Sequence, residues 1–357
     1  MIVTINFNKM MEINTIHNES CLDTLKKMPD NFIDCVITSP PYWQLRDYGY
    51  EGQWGLEPTF NEYLEHLWQM MDEIYRALKP EGTCWINLGD TYGTQGGKNT
   101  GKAQKKYDST YIENRVGVNG EEDATLIKEK GLHKCLLLIP HRFAIGCIDR
   151  KWIVRNDCIW AKRNGMPESV TDRFSKKHEY FFFMVKSEKY FFDLDAIRDK
   201  HKTHNIIKDL GTRGKQGFSF ASGNQRDNSG GLGYGKTKIK FGGNKGDGNK
   251  EGIYSGNEWT PREDGKNPGS VSDFWDIPTR PSTNEHYASY NDALLLKPVL
   301  AGCPEDGIIY DPFMGTGSTA EVALRAKRKF IGSEISKEYI DICNQRLEPF
   351  LTQHKLF

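Results

Sequence analysis

Apolar and polar positions along this chain fall into short blocks that switch between two periods. Phe32–Ile37, Thr83–Asp90, Trp152–Trp160 and Glu179–Val185 are runs of strand length, apolar but for the polar end of the second. Met11–Ile16, Gly307–Tyr310 and Lys329–Glu334 predict three further strands. Between them, Tyr63, Leu64, Leu67, Met70, Met71, Ile74 and Leu78 recur at helical spacing over 60–79, a stripe expected to be core and nothing more. Shorter helices are predicted over Cys21–Leu25, Leu136–Ile148, Asp292–Cys303 and Lys337–Leu347, and a further one starts at Ala320. Pro80-Glu81-Gly82 is expected to turn the chain. Strands that alternate with helices in this way predict a doubly wound α/β sheet.

Two stretches break the pattern. Residues 91–131 are rich in Gly, Lys, Asn and Glu and read as a long mobile loop. From about 194 to 270 the chain is glycine-rich and basic. Residues 201–250 hold ten Lys and Arg against three Asp and Glu, a local excess that suits a phosphate backbone.

Two of the predicted strands end in chemistry. After Phe32–Ile37 comes Thr38, then Ser39-Pro40-Pro41-Tyr42. The prolines stop the strand, because neither donates to a ladder and each restricts the residue before it. A hydroxyl, rigid carbonyls and an aromatic ring are thus delivered to the edge of the sheet where ligands bind. A planar substrate would stack on Tyr42 while its amino group donates to Ser39 and a proline carbonyl. Near the other end, Asp311-Pro312-Phe313-Met314-Gly315-Thr316-Gly317-Ser318-Thr319 joins a strand to a helix. Its glycines permit a tight turn and close approach of a ligand to the backbone. Glu334 ends the next strand 17 residues after Gly317, near the spacing at which an acid meets ribose hydroxyls.

Together these stretches resemble the amino-methyltransferases of DNA, with the Pro-Pro-Tyr motif first and the glycine motif last, as in the permuted β class. The resemblance implies a Rossmann-like, circularly permuted sheet that binds S-adenosyl-L-methionine and methylates double-stranded DNA. It implies Ser39, Pro40, Pro41 and Tyr42 as the catalytic set. It implies Asp311, Phe313, Gly315, Thr316, Gly317, Ser318, Thr319 and Glu334 around the cofactor. His286, Tyr287 and Ala288 are expected at its methionine end. Glu19-Ser20 stands where the family often has Gly-Asp, which makes Ser20, or Glu19 reaching across, the candidate adenine contact. Ser39 is similar to the cytosine-N4 members, whereas adenine-N6 members more often carry Asp or Asn there. Residues 1–193 would form the catalytic half, 194–270 the target-recognition region and 271–357 the cofactor half.

Composition adds limits. Lys plus Arg and Asp plus Glu both number 48, so nucleic acid must be met by a local basic patch. Arg46, Lys162, Arg163, Arg173, Lys176 and Lys177 are the candidates for DNA contact beside the pocket. Asn87 and Asp90 end a strand on the same edge as Ser39 and are expected near it. The eight cysteines form no zinc-type spacing and read as reduced core residues of a cytoplasmic protein, and no metal is expected. Carbon-5 methylation needs a Pro-Cys nucleophile; Cys303 precedes Pro304 instead. No apolar run is long enough to span a membrane. A dehydrogenase would need a third glycine where Ala320 stands. An adenine-N6 enzyme, an RNA or protein-amide methyltransferase and a non-catalytic DNA-binding protein stay open. So do a cognate restriction endonuclease in the same system and a monomeric or homodimeric state.

Overall fold

The computed structural model describes residues 11–93, 132, 134–165, 168–199, 271–279 and 291–353. The chain divides into two units, Met1–Ile197 with Val271–Phe357, and Arg198–Ser270. All but the first two residues of the second unit lie outside the described residues. So do 94–131, the bulk of the expected mobile loop, and His286, Tyr287 and Ala288.

Eight strands form one sheet. They are β1 (Thr15–His17), β2 (Ile33–Thr38), β3 (Leu78–Leu88), β4 (Ile153–Ala161), β5 (His178–Val185), β6 (Phe274–Asp276), β7 (Ile308–Asp311) and β8 (Lys329–Ser333). Their spatial order is β1-β8-β7-β2-β3-β5-β4-β6. The first five in that order run parallel, and β5 is antiparallel to both its neighbours. From β7 the chain proceeds to one side of the sheet and from β2 to the other. The β7/β2 junction is therefore the switch point, where a crevice opens beyond the strand ends.

The helices are α1 (Cys21–Lys27), α2 (Phe60–Ala77), α3 (Ile139–Asp149), α4 (Leu194–Ile197), α5 (Asp292–Gly302), α6 (Ser318–Arg325) and α7 (Lys337–Gln353). They cover both faces, which is why the central strands are apolar throughout rather than alternating. Val36 and Tyr310 face a core with Leu25, Tyr63, Leu67 and Phe143. Cys35, Ile37 and Ile309 face the other, with Leu294, Val299, Ala320 and Cys343. Cross-strand partners Trp85 and Phe183 stack at 4.1 Å in this second core.

The boundaries depart from the pattern at specific residues. β1 begins only at Thr15, because Asn14 is left-handed (φ 58°) and its side chain accepts from the Phe330 amide at 3.1 Å. Pro80-Glu81-Gly82 does not turn the chain. Ile33 faces Leu78 and Cys35 faces Thr83, so residues 79–82 bulge from β3 opposite Asp34. Asp34 fills the bulge, accepting from Lys79 at 2.7 Å and from the Ile308 amide at 2.9 Å. α7 continues past Leu347 to Gln353.

Candidate active site

The two motifs meet where β2 and β7 end side by side. Thr38 Oγ1 donates to Asp311 Oδ1 at 2.6 Å. The same carboxylate accepts from the Phe313 amide at 3.0 Å and from Thr319 Oγ1 at 2.6 Å. Asp311 is 1% exposed, and burial pushes its carboxyl up to about 6 although these hydrogen bonds pull the other way. It thus holds the glycine turn onto β2 from within.

The Pro-Pro-Tyr motif is braced from behind. Tyr63 is fully buried, and its hydroxyl donates to the Pro41 carbonyl at 2.8 Å. A member of the α2 stripe therefore supports the site as well as the core, which apolar periodicity does not reveal. Gly55 (φ 91°) lies so close that a Cβ there would sit 3.0 Å from the Tyr42 carbonyl oxygen. Trp43 is buried and donates to the Glu57 carbonyl at 2.9 Å. Residues 43–57 thus form an ordered loop whose Trp54 meets Phe313 edge-to-face at 5.3 Å.

Tyr42 lies over Gly89, where a Cβ would be 2.6 Å from its ring. Its hydroxyl reaches Glu179 Oε2 at 2.8 Å and Asn87 Oδ1 at 3.0 Å. Ser39 Oγ lies 3.4 Å from the same phenol oxygen. Glu179 also pairs with Lys162, whose amine sits 4.5 Å over the Trp160 ring. Asn87 donates to the Tyr180 carbonyl at 2.9 Å, which orients its amide oxygen toward Tyr42. Asp90 is buried; its Oδ1 accepts from the amides of Thr91 and Ile139 at 2.9 and 3.1 Å.

In the glycine turn the two glycines differ. Gly315 (φ 53°) has open space where a Cβ would point, and its amide donates to Glu334 Oε2 at 2.8 Å. Gly317 (φ 85°) precedes α6, and a Cβ there would come 2.2 Å from Cys343 Sγ on α7. Glu334 Oε1 accepts from the Ser336 amide at 2.9 Å. Burial raises the Glu334 carboxyl, while those two amides favour its charged form. Each carboxylate oxygen retains acceptor capacity for a hydroxyl of a ligand. Open space over Gly315 beside a carboxylate at the end of β8 fits a nucleoside.

A family model described as DNA methylase matches residues 33–345, most of the chain. The chain belongs to this family, the N4/N6 amino-methyltransferases of DNA. The type II methyltransferase M.Cfr9I of Citrobacter freundii is 30% identical over 95% of this chain and 89% of its own. The fold is shared with the cytosine-N4-specific PvuII DNA methyltransferase (TM-score 0.56, 14% identity, 97% of this chain and 92% of that one). It is shared too with a protein of Thermus thermophilus named a DNA modification methylase and solved with S-adenosyl-L-methionine (TM-score 0.52, 16% identity, 94% of each chain).

In this DNA methylase the basic candidates are not gathered into one open patch. Lys162 pairs with Glu179, Arg163 with Asp276 and Arg173 with Glu168. Lys176 donates to the Asp90 carbonyl, Lys177 to that of Gly165, and Arg173 also lies 4.0 Å over the Tyr92 ring. Arg46 is half-buried in the 43–57 loop, its carbonyl accepting from Gln53 at 2.8 Å. Ser20 caps α1, accepting from the Asp23 amide at 3.2 Å and donating to Asp23 Oδ2 at 2.7 Å. Glu19 is bound to Thr24 and Lys27. Thr316 accepts through its carbonyl, and Ser318 through its hydroxyl, from Arg346. Asn18 donates to the carbonyls of Glu334 and Ile335, both at 3.0 Å, and so ties β1 to the acid-bearing turn. Glu179, Asn18 and Gly55 carried no signal of their own, since the pairing that makes them meaningful is across strands. Cys303 is fully buried, and burial drives its thiol far up, which leaves no thiolate for carbon-5 chemistry. No described helix is long and apolar enough to cross a membrane.

Proposed function

We propose that this methylase transfers a methyl group to the exocyclic N4 amine of a cytosine flipped out of duplex DNA. S-adenosyl-L-methionine, the group that the open turn at Gly315 and Glu334 fits, supplies the methyl on a sulfonium centre. The observation that carries this reading is the 2.6 Å bond from Thr38 to Asp311, which sets Ser39 beside the glycine turn. Reactants held in one frame need no further encounter.

The amine is a weak nucleophile because its lone pair is delocalised into the ring. Ser39 Oγ and the Pro40 carbonyl accept its two N–H bonds, which favours a pyramidal nitrogen whose lone pair is free. The neighbouring Pro41 carbonyl accepts from Tyr63, which braces the motif from behind. Tyr42 offers a ring for the flipped base, which must leave the stack for its amine to be reached. Residues 194–270 would read the sequence, and Arg163 and Arg46 would exchange internal partners for phosphates. The type II names of the relatives support a place in a restriction–modification system, in the cytoplasm, with an endonuclease of the same specificity.

The test is mass spectrometry of nucleosides from DNA incubated with the protein and labelled cofactor. N4-methylcytosine is expected. N6-methyladenine would overturn the base assignment and keep the architecture.

A further inference from the structure

Methylating an amine leaves a proton to be removed. The nitrogen lone pair becomes the new N–C bond, and the electron pair of the broken S–C bond stays on sulfur. The nitrogen then bears the positive charge until an N–H bond breaks. Neither Ser39 nor a proline carbonyl is a base that keeps a proton at neutral pH.

The structure supplies a base two hydrogen bonds away. Ser39 Oγ is 3.4 Å from the Tyr42 oxygen, and that oxygen is 2.8 Å from Glu179 Oε2. Tyr42 has one proton, and among the hydrogen bonds of its hydroxyl to described residues are two acceptors, Asn87 Oδ1 at 3.0 Å and the carboxylate at 2.8 Å. The shorter, charge-assisted contact takes it. Glu179 also points away from the ordinary role of an ion-pair partner. Lys162 holds Oε1, and Oε2 is turned to the motif.

We propose that Ser39, Tyr42 and Glu179 form a proton relay that deprotonates the amine, with Glu179 as terminal acceptor. This rests on the amine-transfer reading above. The N–H proton passes to Ser39 Oγ as Ser39 gives its own to Tyr42, and Tyr42 gives its own to Glu179. Both hydroxyls end as they began, and the carboxylate becomes a carboxylic acid that later releases the proton to water. Glu179 faces Lys162 and Lys176 from the connection before β5 and Tyr42 from the motif, whose hydroxyl it shares with Asn87; His178 and Tyr180 flank it on its own strand. The lysines offset the carboxylate's charge while it waits. Glu179 is a positioning and proton-accepting residue that acts through Tyr42.

Single-turnover methyl transfer tests this in the full-length protein. E179Q keeps an acceptor for Tyr42 but loses the base, and is expected to slow transfer about 100-fold, the scale of general-base catalysis. Cofactor affinity and KM for DNA should stay within about twofold of wild type, because the loss lies in the transition state. E179D should recover part of the rate, and formate should restore part of the rate of E179A. Y42F, which keeps the ring, should slow transfer comparably, and E179Q/Y42F should be no slower than the worse single variant. E179Q at wild-type rate overturns the relay, as do additive effects in the double variant or no response of E179A to formate. Should E179Q not fold, Y42F decides alone: an unchanged rate overturns the relay. Wild-type protein that methylates no DNA amine overturns the functional reading itself.

Discussion

Thr38 and Asp311 are 273 positions apart in the chain and 2.6 Å apart in the fold. Their bond joins the Pro-Pro-Tyr motif and the glycine turn inside the sheet, out of reach of water. Thr38→Val keeps the shape and removes the donor, leaving a buried carboxylate oxygen less satisfied. A loss of about 1–3 kcal/mol is expected in urea unfolding, with weaker cofactor binding by calorimetry.

Asp311 also gives stability a pH dependence. Its folded carboxyl is raised to about 6 from 3.8, so the folded state holds a proton that the unfolded chain has released. Stability must therefore fall as pH rises across that window and be greatest below it for this group. Asp311→Asn removes the effect. Its unfolding free energy, measured from pH 3.5 to 7, is expected to lack the wild-type decline over about pH 4–6, whatever its absolute value.

The glycine turn separates a packing requirement from a binding one. Gly317→Ala places a methyl 2.2 Å from Cys343 Sγ at φ 85°, and should lower stability by about 1–3 kcal/mol. Adding Cys343→Ala should return part of this. Gly315→Asp points into open space at φ 53° and should fold, yet lose cofactor binding by filling the crevice with a second acid. Thermal melts and cofactor titrations on the three variants check both statements.

Ser39→Ala and Tyr42→Ala should lose methylation in a single-turnover assay while keeping cofactor affinity. Tyr63→Phe should act differently. It leaves the chemistry intact but frees the Pro41 carbonyl, so a stability loss of about 1 kcal/mol and a several-fold slower transfer are expected.

Much of this architecture was legible in the chain because period and punctuation agree. The proline pair after Ile37 and the glycines after Tyr310 mark strand ends without any knowledge of neighbours. Adjacency of those ends was not legible from spacing alone, because a separation of 273 positions says nothing about which strands pair. Cross-strand chemistry failed for the same reason. Glu179 looks like an ordinary polar start to an apolar run, and only the β3–β5 register sets it near Tyr42. The basic connection of 162–177 shows the same limit from the other side. Charge counts record cations and not their partners, and the acids that occupy Lys162 and Arg163 arrive from β5 and β6. Pro80 misled because a bulge and a turn use the same residues, and only Asp34 in the neighbouring strand distinguishes them.

The strand order also sets a timetable. β1 and β2 are made first, yet they are not neighbours; β8 and β7, made last, fill the gap between them. A chain still on the ribosome therefore carries two unpaired strand edges and no cofactor turn, with Thr38 facing no carboxylate. The Thr38–Asp311 bond and the closing of Asn18 on Glu334 can form only after the final strands are made. A product cut short before β7 would lack both the glycine turn and the Glu334 that accepts from it.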